Sequence, residues 1–249
     1  MAGLLSPDSS FYRALNSATD LVILNALTIL GCVPVVTAGA SLTACARVTA
    51  DMVREEDDYI VRSWWASFKG NLRQSFGWWL PVLALLVLAV AENWLIGGIR
   101  GATLAGALTG LIALGTAIVV GILSWLCPLV AQFDNTVAGH VSSACILAGA
   151  HPVRTAANLA VGVAPLAFFL LVPDARGAVA WFAVLIGLSF TGYVHALIEK
   201  GPFDRLRRIH PAREARMPRA VDADGVGVGW PASRGLLEAH TPQEAREPS

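Results

Sequence analysis

Residues 103–126 read TLAGALTGLIALGTAIVVGILSWL, 24 positions without a charged side chain. An α-helix rises about 1.5 Å per residue, so this stretch spans about 36 Å, enough to cross a hydrocarbon core of about 30 Å. Four further stretches are comparably apolar: residues 21–46, 77–99, 156–172 and 178–198. In lipid every backbone polar group must be satisfied within the chain, and a continuous apolar run does this as a helix. The sequence therefore predicts an all-α, polytopic transmembrane helical bundle of about five spans.

Composition agrees. Hydrophobic residues make up 55% of the 249 positions and charged residues only 14%, against about 25% charged in an ordinary soluble domain. The formal net charge is zero, but the charges gather in two blocks, residues 47–73 and 200–246. A chain of this length accommodates one bundle, residues 1–200, and a tail, residues 201–249. The first 20 residues carry Asp8, Arg13 and Asp20 and lack the basic-then-apolar order of a cleavable signal. The first span is expected to act as its own insertion signal. Cys32, Cys45, Cys127 and Cys145 form no C-x-x-C pair and read as small packing residues.

The first span contains Pro34, which lacks a donor and clashes with the preceding turn. It is read as one broken span; the alternative is two helices over residues 10–33 and 38–56 with Thr37 as the cap of the second. Residues 59–76 follow a turn at Asp57 and Asp58. At 100° per residue, Ile60, Val61, Trp64, Trp65, Phe68, Leu72 and Phe76 share one arc, with Arg62, Lys69 and Arg73 opposite. This pattern predicts an amphipathic helix in the membrane surface, its basic residues toward anionic lipid head groups. Trp78 and Trp79 then mark a membrane boundary. In the third span, Gly106-x-x-x-Gly110 and Ala113-x-x-x-Ala117-x-x-x-Gly121 suit close helix approach, which places this helix at the bundle centre. Pro128 is expected to end or bend it. Asp134 or Asn135 then caps a short helix over residues 136–148. Pro165 interrupts the fourth span and Trp181 opens the fifth. The tail begins basic, with Lys200, Arg205, Arg207, Arg208, Arg213, Arg216 and Arg219, and reads as disordered from about Met217.

Most familiar chemistries are missing. There is no P-loop, no G-x-S-x-G, no dinucleotide fingerprint and no metal-spaced histidine pair, so neither a catalytic set nor a cofactor is expected. Glu92, beside Asn93, is an acid within an apolar run, and such acids are functional candidates by default. Its place near the end of span two also suits an interfacial role. Asn25 needs a partner inside the first span, most simply another helix. His195, near Tyr193, is read as hydrogen-bonded or solvated. The segment Pro34–Ala40, PVVTAGA, frees backbone carbonyls and is expected to face the bundle interior. The candidate functional residues are thus Asn25, Pro34, Thr37, Gly39 and Glu92.

Residues 24–80 also carry a resemblance. Leu24-Asn25, Pro34 with Val36-Thr37-Ala38-Gly39-Ala40, Ala44, and Phe68-Lys69-Gly70-Asn71-Leu72-Arg73-Gln74-Ser75 resemble the signature of the YesL-like family of uncharacterised bacterial membrane proteins. The similarity extends through Phe133-Asp134-Asn135 and Asn158, and departs from the family at Thr28 and Ala46. It implies a bacterial inner-membrane protein associated with carbohydrate uptake, and it carries over no catalytic residue. The first functional expectation is an accessory or assembly factor with sugar-transporter subunits, or further copies of itself, as partners. The second is a small permease or channel-like component. No nucleic-acid partner is expected.

Basic residues favour the cytoplasmic side. Arg47, Arg54, Arg62, Lys69 and Arg73 lie between spans one and two, whereas the opposite loops hold Arg13, Arg100 and Arg176. The C-terminus is therefore expected in the cytoplasm. A cytoplasm-active reporter fused after Lys200 should give signal and one at Arg100 should not; the reverse pattern would overturn this orientation.

Overall fold

Pro34 governs how the chain first folds. The computed structural model describes residues 10–56, 59–96 and 102–209. Helix α1, Ser10–Cys32, stops two residues before the proline. A 3₁₀ turn, Val35–Thr37, follows, and α2, Ala38–Arg54, begins at once. The two helices form a hairpin: Ser41 Oγ donates to the Thr28 carbonyl at 2.8 Å, and Leu24 packs against Ala44, Cys45 and Val48. Of the two readings of residues 21–46, the structure has the one with two helices.

The turn itself corrects one expectation. Pro34, Val35 and Val36 are exposed, so the break does not face the bundle interior; the inward path starts at Ala38. Thr37 occupies the N-cap position of α2 but does not cap it. Its hydroxyl lies 2.8 Å from the carbonyls of Gly31, at the frayed end of α1, and of Pro34, which also accepts from Thr37 N at 2.8 Å.

The centre of the bundle is α2, not the third span. It packs against α1, α3, α4 and α8. Its buried residues are small: Ala38, Gly39, Ala40, Ser41, Ala44, Cys45 and Ala50 among them. Without a hydrophobic drive between helices in lipid, small side chains that admit close approach take over. A Cβ on Gly39 would sit 2.6 Å from Cβ of Trp79, so no larger residue fits there without movement. By contrast, Gly106, Gly110 and Gly115 of the expected central helix have nothing within 4 Å of a Cβ.

Helix α3, Ile60–Ile96, joins two elements that the sequence separates. The amphipathic segment and the second span are one helix, about 55 Å long, uninterrupted by Pro81. Its inward face is the unexpected one. Trp64, Ser67, Asn71, Ser75 and Trp78 recur at spacings of three and four and are buried, whereas Val61 and Trp65 are exposed. Asn71 Nδ2 donates to the Ser67 carbonyl at 2.9 Å. The buried face thus joins a small polar stripe to Trp64, and the rest of the apolar arc lies beside it, with Ile60, Phe68, Leu72 and Phe76 partly buried and Arg62, Lys69 and Arg73 exposed. Trp78 and Trp79 are also core residues; Trp79 Nε1 donates to the Val35 carbonyl at 2.7 Å.

Helix α4, Ala102–Gln132, continues through Pro128. Helix α5, Val137–Ala150, is capped by Thr136, whose side chain accepts from Gly139 N, while Asn135 Oδ1 accepts from Thr136 N. Helix α6, Pro152–Leu171, leads to a 3₁₀ turn at Pro173–Ala175, α7 at Arg176–Phe182, a π turn at Ala183–Gly187 and α8 at Leu188–Ile209. Helix α8 runs past the expected end of the fifth span and through Pro202, so the first nine residues assigned to the tail are helical, and Phe203 stacks on Trp125. The disorder expected from Met217, the turn at Asp57 and Asp58, and Arg100 lie outside the described residues. Among the described residues, five helical segments are long and apolar enough to cross a membrane: Leu15–Cys32, Ile60–Ile96, Thr103–Gln132, Pro152–Leu171 and Pro173–Ile209. The chain is an all-α bundle with the features of a multi-pass membrane protein.

Asn25 holds the hairpin to the fifth of these segments. A π turn shifts the backbone register, leaving donors and acceptors without their usual partners. The fully buried Asn25 side chain meets them. Its Nδ2 donates to the carbonyls of Ala183 and Val184 at 3.1 and 2.7 Å, and its Oδ1 accepts from the amides of Leu188 and Ser189 at 2.9 and 3.2 Å. Ser189 Oγ adds a bond to the Leu21 carbonyl at 2.7 Å. Asn25→Leu keeps the volume and strands these backbone groups. It should cost about 2–4 kcal/mol, read as a clear fall in the thermal unfolding midpoint of detergent-purified protein. An unchanged midpoint would show that the π turn does not depend on this side chain.

Candidate functional site

Helices α2, α3, α4, α6 and α8 leave a cavity of about 330 Å³ between them. Helical periodicity builds its polar side. Residues four apart share a helix face, so α8 presents His195 with Glu199, and α2 presents Cys45 with Thr49. Helix α6 supplies Asn158 and α4 supplies Ser124 and Cys127. Small residues keep the helices close: Gly192 on α8 lies against Cys45 and Thr49, and Gly162 on α6 lies against His195.

Asn158 is the hub. Its Nδ2 donates to Glu199 Oε1 at 2.5 Å and to Ser124 Oγ at 3.4 Å. Its backbone carbonyl meets His195 Nε2 at 2.9 Å. A carbonyl only accepts, so Nε2 carries the hydrogen of that bond. Asn158 is 1% exposed and Glu199 2%. Among the described residues Asn158 Oδ1 has no hydrogen-bond partner, and an unmet buried acceptor of this kind costs about 1–3 kcal/mol. The rest of the wall is mainly apolar, with Leu42, Leu86, Val120, Leu159, Trp79 and Phe203.

Arg54 and Gln132, which line the cavity, belong to a charged network. Asp51, almost fully buried, accepts from Arg47 Nε at 2.7 Å and from Arg54 Nη2. Arg54 also donates to Glu56 at 2.8 Å and to Gln132 at 3.3 Å. Arg207 reaches Gln132 Oε1 at 3.2 Å and Glu56 at 3.6 Å. Partial burial by itself would raise the Glu56 carboxyl, but the hydrogen bond and charge of Arg54, with Arg207 and Arg47, outweigh it and hold the group below 4.5. The network therefore ties the end of α2 to α4 and α8.

None of the five sequence candidates lines this cavity. Asn25 is spent on the π turn, Pro34 and Thr37 form the hairpin turn, and Gly39 makes room for Trp79, which does line the cavity. Glu92 is exposed on α3, remote from the polar cluster. Sequence reading meets Asn158 only as a position of the family resemblance and gives no role to Glu199, Asp51 or Gln132. The one local signal was the His195–Glu199 spacing on a helix face; Asn158 and Glu199 meet only through the fold.

The network predicts a contrast. Asp51→Ala leaves two arginines partly buried without their shared carboxylate and should cost roughly 3 kcal/mol. Glu92→Gln should change stability by under about 0.5 kcal/mol. Unfolding of both variants in the same detergent checks this, and equal losses would contradict the placement of both acids.

Residues 21–92, from α1 through most of α3, match the family described as "Protein of unknown function, DUF624". No curated protein and no solved structure matches the chain. Over that matched segment, the chain is similar to the family to which YesL-like proteins belong.

Proposed function

We propose that this chain is a solute-handling component of the bacterial inner membrane, a small permease-like protein with the α2–α4–α6–α8 cavity as its solute site. The carrying observation is the polar group Asn158–Glu199–His195 in a cavity walled by apolar helices. Buried ionisable groups within membrane helices are costly and line ligand or ion paths more often than they serve packing. A cavity with few convergent polar groups is also the common form of a small-ligand site. The C-terminus faces the cytoplasm, with Arg62, Lys69 and Arg73, all exposed on α3, toward anionic head groups.

A second reading has its own support. The YesL-like resemblance suggests an accessory or assembly factor linked to carbohydrate uptake. On α4 Gly106 and Gly110, four residues apart on one face, have nothing within 4 Å of a Cβ, which suits a helix of a transporter subunit or of a second copy.

Two experiments separate the readings. Purified chain in liposomes should accumulate a small labelled solute from a panel of sugars and amines, with saturation, and Asn158→Leu should reduce the rate at least tenfold. Absence of uptake across the panel, together with reproducible co-purification of a transporter subunit from native membranes, would replace the permease reading with the accessory one.

A further inference from the structure

The cavity is rich in acceptors, and Thr49, Ser124, His195, Arg54 and Lys200 on its wall already donate hydrogen bonds. Asn158 Oδ1 is buried, with no partner among the described residues. Among the described residues no lysine, arginine or histidine forms an ion pair with Glu199, whose carboxyl is met by Asn158 Nδ2. Lys200 Nζ, next in sequence, donates to the Val53 carbonyl at 3.2 Å. Arg54 is held by Asp51, Glu56 and Gln132, and His195 Nε2 by the Asn158 carbonyl. A buried carboxyl and an orphaned amide oxygen call for a ligand that donates hydrogen bonds, and a positive charge answers both best.

The walls narrow the class. A sugar needs a partner for nearly every hydroxyl, and each one buried unmet costs binding energy. Here Leu42, Leu86, Val120 and Leu159 offer none, while Trp79 and Phe203 add aromatic surface. A volume of about 330 Å³ lies at the small end of ligand pockets.

We propose that this cavity binds a small amphiphilic organic cation, with its ammonium group donating to Glu199 and to Asn158 Oδ1 and its apolar body against the leucine and aromatic walls. This deepens the solute-handling reading by naming the solute class. It rests on that reading for its use in transport, and on the cavity alone for its chemistry.

The test uses the full chain in lipid nanodiscs and two probes of the same shape, phenethylammonium and neutral 2-phenylethanol, titrated calorimetrically. Phenethylammonium should bind saturably, and 2-phenylethanol at least about tenfold more weakly. Glu199→Gln, which keeps the shape of the residue and an oxygen acceptor for Asn158, should lose a similar factor for the cation and little for the alcohol. Both probes enter lipid, and the variant in identical discs corrects for that. Equal affinity of the two probes for the unaltered chain would overturn the proposal whether or not any variant folds, as would undiminished cation binding by Glu199→Gln. Selective cation binding without uptake into liposomes would uphold the site and remove the transport reading. Sugar uptake without cation binding would uphold transport and overturn the proposed ligand.

Discussion

The return of α2 at Pro34 is the constraint on which the rest of the bundle depends. A proline that cannot continue α1, followed by Thr37 bonding the carbonyls of Gly31 and Pro34, sends a helix of small residues back through the middle of the molecule. Because α2 is thin, α3, α4 and α8 approach it closely. Because it is also polar, with Thr43 and Thr49 bonding to their own helix carbonyls, it brings hydroxyls and charge into the interior without stranding them. The closeness at Gly39 and Trp79, the Asp51 network and one wall of the cavity all follow from this one turn.

Two asparagines then do different work. Asn25 is fully spent: both ends of its amide meet backbone groups that the π turn exposes, and it leaves nothing over for a ligand. Asn158 is half spent. Its nitrogen is bonded to Glu199 and Ser124 while its oxygen is unmet beside a cavity. The contrast separates a structural polar residue from a candidate binding residue by the bonds left unmade.

Much of the fold was legible because lipid imposes a coarse rule: long apolar runs become helices that can span. The partner that Asn25 requires was legible for the same reason, since an amide in an apolar run must bond to something. The division of the first apolar run at Pro34 was visible as an option, but choosing it needed the contact between Ser41 and Thr28. Helix faces were harder. On α3 the buried face is centred on Ser67, Asn71 and Ser75 with Trp64, so the inner side is offset from the apolar arc toward small polar residues that pack closely in lipid. The glycines of α4 looked central by spacing, yet small residues permit close packing without requiring it. The cavity was least legible. Glu199 stands among basic residues after an apolar run and reads as an interfacial charge, whereas Glu92 stands inside such a run and drew attention. Their burial is the reverse: Glu199 is buried on α8, which packs along α2, and Glu92 is exposed on α3.

A polar, threonine-bearing helix, α2, is the buried core of this bundle. Hydrogen–deuterium exchange across the full chain in nanodiscs reads that burial amide by amide. The amides of α2 should exchange as slowly as those of the buried end of α4, residues 125–132. Exchange of α2 within seconds, as for a helix lying on the surface, would contradict it.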